Sequence, residues 1–143
     1  MTVSKAKAEW KGNLREGTGR FALGTGLFEG SYSFKTRTEG GRSETTPEEL
    51  IAAAHASCFS MALSAELTRN KTPPEVINTE ATVRLAAEGG SVAINRINLI
   101  TRAKVPGIDE AKFQELAATA KAGCPVSKAL AAVDIHLDAA LES

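Results

Sequence analysis

Two cysteines carry most of the chemistry open to this chain. Cys58 lies in the apolar segment Leu50-Ile-Ala-Ala-Ala-His-Ala-Ser-Cys-Phe-Ser-Met-Ala-Leu63, and Cys124 in Lys121-Ala-Gly-Cys-Pro-Val126. They are the only two cysteines, and their wide separation is no metal-knuckle spacing. Two cysteines without an export signal point to thiol chemistry more than to a crosslink. Cys124 can be the N-cap of a helix whose first residue is Pro125. Free backbone N–H groups and the helix dipole there favour a thiolate. Cys58 has no such help, and burial alone raises a thiol pKa, so a reactive Cys58 needs a nearby cation. On local physics Cys124 is the more acidic thiol. The bland alternatives are a small buried hydrophobe at Cys58 and simple helix punctuation at Gly123-Cys124-Pro125.

Arg37 is the candidate cation, on the polar face of an expected strand. A solvated arginine is the commoner outcome for such a position. Glu48 stands in the first turn of an expected helix, where carboxylates are favoured anyway. Glu49 takes the capping-box place and leaves Glu48 freer for another task. Glu48 and Cys58 are ten residues apart, about 15 Å along an unbroken helix. They cannot touch within one helix of one chain, so a shared site needs a second subunit or a bent helix. His55 lies one turn before Cys58 on the same side, which would suit a nucleophile and base. A packed core histidine with a backbone or water partner is the preferred reading. His136 falls on the outward face of the last strand. Gly17-Thr-Gly19 and Gly24-Thr-Gly26 look like phosphate loops, but neither precedes a helix, so both read as turns.

The elements that must hold these residues follow from periodicity. Ala6, Ala8 and Trp10 alternate with charged residues, which predicts a strand. Glycines from Gly17 to Gly30 make turns around Phe21 and Leu23. Tyr32 and Phe34 then share one face, with Ser33, Lys35 and Arg37 on the other. Residues 39–44 form a loop. Thr46-Pro-Glu-Glu49 starts a helix, with Thr46 as N-cap and Pro47 at the first position. It runs to about Arg69, before Pro73-Pro74. Its middle is apolar all round and predicts burial on every side.

Ile77 to Leu85 alternates as a half-buried strand, and Gly89-Gly90 predicts a hairpin. The next strand, about 92–105, changes apolar phase between Ile94 and Ile97, as a bulge would cause. Pro106-Gly107 ends it, and Asp109 caps a helix with Phe113, Leu116, Ala117 and Ala120 inward. Gly123 fits the C′ position. A short helix opens at Cys124-Pro125, and Val133 to Leu141 alternates as a last strand. The order predicts an α+β fold of antiparallel sheets around a long buried central helix, in one domain over residues 1–143. One small sheet covers only one side of that helix, so a homodimer is expected to cover the rest.

The chain has 143 residues with 17 basic and 17 acidic side chains. Zero net charge recommends neither nucleic acid nor an anionic membrane as partner. The N-terminal residues lack an apolar signal core, and the apolar run over residues 50–65 is shorter than the roughly 20 residues that span a bilayer. The expected location is cytoplasmic, with reduced resting thiols.

Two segments together resemble the OsmC/Ohr family, the osmotically inducible and organic hydroperoxide resistance proteins. They are Thr46-Pro-Glu-Glu-Leu-Ile-Ala-Ala-Ala-His-Ala-Ser-Cys-Phe-Ser-Met-Ala-Leu63 and Ala120-Lys-Ala-Gly-Cys-Pro-Val-Ser127. Phe34-Lys-Thr-Arg-Thr-Glu-Gly40 and Val105-Pro-Gly-Ile-Asp109 resemble the OsmC branch. The resemblance covers essentially the whole chain. It implies an intertwined homodimer and a thiol-dependent peroxidase acting on organic hydroperoxides. In it Cys58 would be peroxidatic and Cys124 resolving, Arg37 would stabilise the Cys58 thiolate, and Glu48 would orient Arg37. A sulfenic acid would form at Cys58 and condense with Cys124 to a disulfide. A dithiol reductant, lipoyl-type in relatives, would restore both thiols. No metal, haem or flavin is implied. This order of attack departs from the capping argument, which favours Cys124 as the acid. The resemblance is followed because an arginine held by a carboxylate can outweigh a partial dipole charge. A non-enzymatic redox sensor or ligand-binding module on the same fold, and a Cys58–His55 hydrolase, are the rival readings.

Overall fold

The computed structural model describes residues 1–41 and 43–143. Of the expected loop over residues 39–44, Arg42 lies outside the described residues. The chain divides into two compact units, Met1–Leu50 and Ile51–Ser143.

The first unit is built on an antiparallel sheet of β1 (Ala6–Lys11), β2 (Thr18–Leu23) and β3 (Glu29–Tyr32). Thr18-Gly19 therefore enters a strand and is not a free turn. Gly19 pairs with both Trp10 and Tyr32, and the Tyr32 ring lies across it. A Cβ at Gly19 would come within 2.4 Å of that ring, so only glycine lets Tyr32 settle there. The Trp10 and Tyr32 rings sit 5.8 Å apart, within range for an aromatic pair.

The expected strand through Phe34 and Arg37 is a helix instead, α1 (Phe34–Glu39). Tyr32 and Phe34 do alternate with polar residues, but Ser33 caps. Its hydroxyl accepts from the Thr36 N–H at 3.1 Å while its own backbone stays extended. Gly40, at φ 77°, ends the helix with its N–H on the Thr36 carbonyl. The Glu44 carboxylate takes hydrogen bonds from the Thr36 and Ser33 hydroxyls. Those bonds, Thr36 first, hold its pKa below the usual carboxylate range.

The long helix α2 (Pro47–Arg69) starts as expected, with the Thr46 hydroxyl accepting from the Glu49 N–H at 3.1 Å. At its far end Lys71 takes a left-handed φ of 63°. Burial on every side is not found within one chain. His55, Phe59, Leu63 and Leu67, spaced by four, are fully buried. Leu50, Ala53, Ala54, Ser57, Met61 and Ala65 stay exposed on the opposite face. The whole helix is long and apolar enough to cross a membrane, more than the 50–65 run suggested. One face of it is nonetheless committed to the protein core.

The second unit adds a sheet ordered β4 (Val76–Glu88), β5 (Ser91–Lys104), β6 (Asp134–Leu141). β4 and β5 form the expected hairpin over Gly89 and Gly90, both at positive φ. Their register shifts where Arg84 faces Arg96 but Leu85 faces Ile94. Asn95 is the extra residue, and the bulge explains the change of phase. Pairing is antiparallel except at β6, which joins β5 in parallel. The intervening α3 (Glu110–Gly123) and α4 (Pro125–Ala129) make the crossover that parallel strands need. Asp109 caps α3, accepting from the Lys112 N–H at 2.8 Å. Gly123 is not a left-handed C′ residue. It is the last residue of α3, and Cys124 at φ −57° ends α3 and begins α4. The core joins Phe59, Leu63 and Leu67 of α2 to Ile97, Leu99 and Ala103 of β5 and to Phe113, Leu116, Ala117 and Ala120 of α3.

Candidate functional site

The four residues singled out from the sequence form two pairs, one in each unit. In the first unit, α1 presents Arg37 from its last turn and α2 presents Glu48 from its first. Arg37 donates from Nε at 2.9 Å and from Nη2 at 2.6 Å, both to Glu48 Oε1. Glu48 is only 7% exposed, whereas the Arg37 side chain is 36% exposed. The carboxylate is thus a fixed buried anchor, and the guanidinium keeps a free edge. Arg37 also borders a cavity of about 240 Å³ lined by Trp10, Leu14, Tyr32, Ser33 and Phe34. Sequence reading missed this apolar hollow, because it depends on the Gly19 crossing and on α1.

In the second unit, α2 brings Cys58 to Cys124 at the junction of α3 and α4. Both thiols are free; Cys58 is half-buried and Cys124 fully buried. The two interact directly enough to shift each other's ionisation. Burial pushes the Cys58 thiol up, and the neighbouring Cys124 adds to the rise against relief from the Val126 N–H. Burial acts upward on Cys124 too. There it is outweighed by the Ser127 N–H, the Cys58 thiol, the Ser127 hydroxyl and the Val126 N–H, which together hold Cys124 below the ordinary thiol value. The Cys124 thiol closes no cap hydrogen bond. Within this unit Cys124 is the more acidic thiol, as the capping argument expected.

His55 is a packed core histidine. Its partner is a side chain: Nε2 lies 2.7 Å from the Ser127 hydroxyl, both residues buried. Nδ1 has no partner among the described residues. Burial holds the imidazole below its ordinary pKa, so it is neutral near pH 7. No hydrogen bond joins His55 to Cys58 among the described residues, and the His55 Nε2 is engaged with Ser127 instead. Ser127 was not singled out from the sequence. Its signal was its place three residues after Cys124, where an N-cap meets the third helical residue. His136 is exposed as expected, and binds Asp134 at 2.7 Å.

Two facing thiols of unequal acidity can exchange electrons by making and breaking one disulfide. Comparison with known proteins bears on that chemistry. A family model described as OsmC-like protein matches residues 40–138. The chain is 44% identical to the peroxiredoxin OsmC of Escherichia coli K12 over the full length of both proteins. It is 33% identical to an organic hydroperoxide resistance protein of Xanthomonas axonopodis pv. citri over 62% of this chain and 61% of that one. Among solved structures, the organic hydroperoxide resistance protein OhrB of Bacillus subtilis superposes with a TM-score of 0.76 at 27% identity, covering 95% of this chain and 98% of that one.

Proposed function

The chain belongs to the OsmC family, and from that premise we propose that it is a thiol-dependent peroxidase reducing organic hydroperoxides. The observation that carries the reading is the facing pair Cys58 and Cys124. The Cys58 thiolate attacks one peroxide oxygen. The O–O bond breaks, the alkoxide leaves and is protonated to the alcohol, and Cys58 becomes a sulfenic acid. The Cys124 thiolate then attacks the Cys58 sulfur. The S–O bond breaks, hydroxide leaves and takes a proton to become water, and the disulfide closes. A dithiol reductant of the lipoyl type returns both thiols by exchange. The 44% identity to a peroxiredoxin over the full length of both chains supports this cycle.

The Arg37–Glu48 pair serves the same reaction from a second copy of the chain. Cys58 lies ten residues beyond Glu48 on one helix, about 15 Å away by helical rise. The exposed stripe of α2, with Met61 69% exposed, is the apolar surface such a homodimer would cover. Arg37 then stabilises the Cys58 thiolate and polarises the peroxide. The hollow beside Arg37, with Phe59 and Met61 near Cys58 in sequence, suits a greasy peroxide over hydrogen peroxide. The location consistent with dithiol recycling is cytoplasmic.

Peroxide consumption with dihydrolipoamide tests the reading. Catalytic turnover is expected, faster with cumene hydroperoxide than with hydrogen peroxide. Consumption of a single equivalent would make the protein a redox sensor. Dimedone should label Cys124→Ser but not Cys58→Ser, and labelling only in Cys58→Ser would reverse the two roles.

A further inference from the structure

Glu44 has no part in the thiol cycle above and stands in the segment between α1 and α2. Its Oε2 accepts from the Ser33 hydroxyl at 2.7 Å and from the Thr36 hydroxyl. The Ser33 and Thr36 oxygens are themselves 2.8 Å apart. Each hydroxyl has one proton to give, and a carboxylate is a stronger acceptor than a second hydroxyl. Both protons therefore go to Glu44, and a Ser33 lone pair stays turned to the Thr36 N–H that it caps at 3.1 Å. Glu44 is anchored from the other side as well. Thr45 donates its N–H to the Ser31 carbonyl at 3.0 Å and bridges Tyr32 in parallel, and Thr46 caps α2. A Cβ on Gly41 would come within 3.3 Å of the Thr36 methyl, so the chain doubles back close over α1.

α1 needs such a brace. It has six residues, too few to hold a helix by propensity alone, and Arg37 follows Thr36 directly. The Arg37 side chain is 36% exposed, where an ion pair alone holds a long side chain weakly. The geometry points to Glu44 as a positioning residue for Arg37: its carboxylate clasps the two hydroxyls at the start of α1 and so fixes the helical turn that delivers the guanidinium to Glu48. Glu44 touches no reacting atom in this role. Its consequence for peroxide reduction rests on the reading of Arg37 given above, but the clasp itself exists in the resting protein.

Hydrogen exchange at the Arg37 Nε–H, followed by nitrogen NMR, tests it; the signal is assigned by its loss in Arg37→Lys. The bond from Nε to Glu48 at 2.9 Å protects that proton in the parent. Glu44→Ala should speed its exchange about tenfold. Glu44→Gln, which keeps an oxygen able to accept from both hydroxyls, should restore most of the protection. Thr36→Val keeps the volume of a buried side chain and removes one donor, so it should also speed the exchange. Unchanged exchange in folded Glu44→Ala would overturn the proposal, and so would unchanged exchange in Thr36→Val, which decides the matter if Glu44→Ala does not fold. Equal loosening of the Trp10 indole N–H, bonded to the Gly12 carbonyl at 3.0 Å, would overturn it too, because the whole unit would then have relaxed. In reduction of cumene hydroperoxide, Glu44→Ala should lower kcat/KM about fivefold, and leave it unchanged in an Arg37→Met background. Absence of turnover in the parent would sink the peroxidase reading without moving the exchange measurement.

Discussion

Replacing Glu48 by glutamine tests whether the carboxylate works through Arg37 or only caps a helix. Both Arg37 contacts, at 2.9 and 2.6 Å, fall on Oε1. Glutamine keeps an oxygen there and the shape of the side chain, but removes the charge. A hydrogen bond to a charged group contributes about 1.5–3 kcal/mol. The Arg37 side chain is 36% exposed, so solvent screening brings the orienting energy of the pair to about 1–2 kcal/mol. That corresponds to about a 5–30-fold loss of kcat/KM in steady-state reduction of cumene hydroperoxide. Glu48 also sits in the first turn of α2, where a carboxylate favours the helix by about 0.3–1 kcal/mol. Glu49 shares that turn, is exposed and does not bind Arg37. Glu49→Gln therefore removes the helix contribution alone. It should lower thermal stability comparably and leave kcat/KM within about twofold. In an Arg37→Met background, Glu48→Gln should cost almost nothing further, since the partner it orients is gone. An undiminished kcat/KM in Glu48→Gln, or an equal loss with and without Arg37, would refute the reasoning.

Two further outcomes follow from burial. Met61→Glu puts a charge in the middle of the exposed α2 stripe, so light scattering at micromolar concentration should show dimer for the parent and monomer for the variant; a dimeric variant would remove α2 from the interface. Burial holds His55 below its ordinary pKa, so the unfolded chain binds a proton that the folded chain refuses once pH drops below about 6.5. The stability tied to His55 is present above that pH and lost below it. Urea unfolding between about pH 7 and about pH 5.5 should show a shallower pH slope in His55→Gln, by at most about 1.4 kcal/mol per pH unit; identical slopes would contradict a neutral buried ring.

The elements legible in the sequence were those whose signals are local. Thr46 and Pro47 announced α2, Asp109 announced α3, and Gly89-Gly90 announced the hairpin, because caps and tight turns are satisfied by neighbours in the chain. Even the Asn95 bulge showed, as a break in a two-residue period. α1 did not, since Tyr32 and Phe34 alternate like a strand while Ser33 silently supplies an N-cap. Two local rules conflicted, and the cap prevailed. The parallel direction of β6 left no mark in its own alternation. It was implicit only in the helical crossover before it. The site was legible to the same degree. Cys124 was marked by the Pro125 helix start, but the Cys58–Cys124 contact came from resemblance, not spacing. His55 and Ser127 are 72 residues apart, and nothing local links them.

The division of labour between the thiols looks inverted, since the more acidic one is assigned the second step. Sulfur chemistry supports that order. Two thiols in contact titrate as a pair, and the proton one gives up is held by the other. A thiolate's intrinsic nucleophilicity falls as its pKa falls. In the proposed cycle Cys58, raised by burial, would be the stronger nucleophile once its proton passes by way of Cys124 to the leaving alkoxide and the Arg37 guanidinium steadies its charge. Cys124, lowered by the Ser127 and Val126 groups and by Cys58, would lose its proton more readily than an ordinary thiol when the sulfenic acid appears. A thiol still needing deprotonation at that moment would leave the sulfenic acid open to further oxidation. In the proposed cycle the acid strength of Cys124 would therefore protect Cys58 from its own product, and the burial that weakens Cys58 as an acid would strengthen its attack.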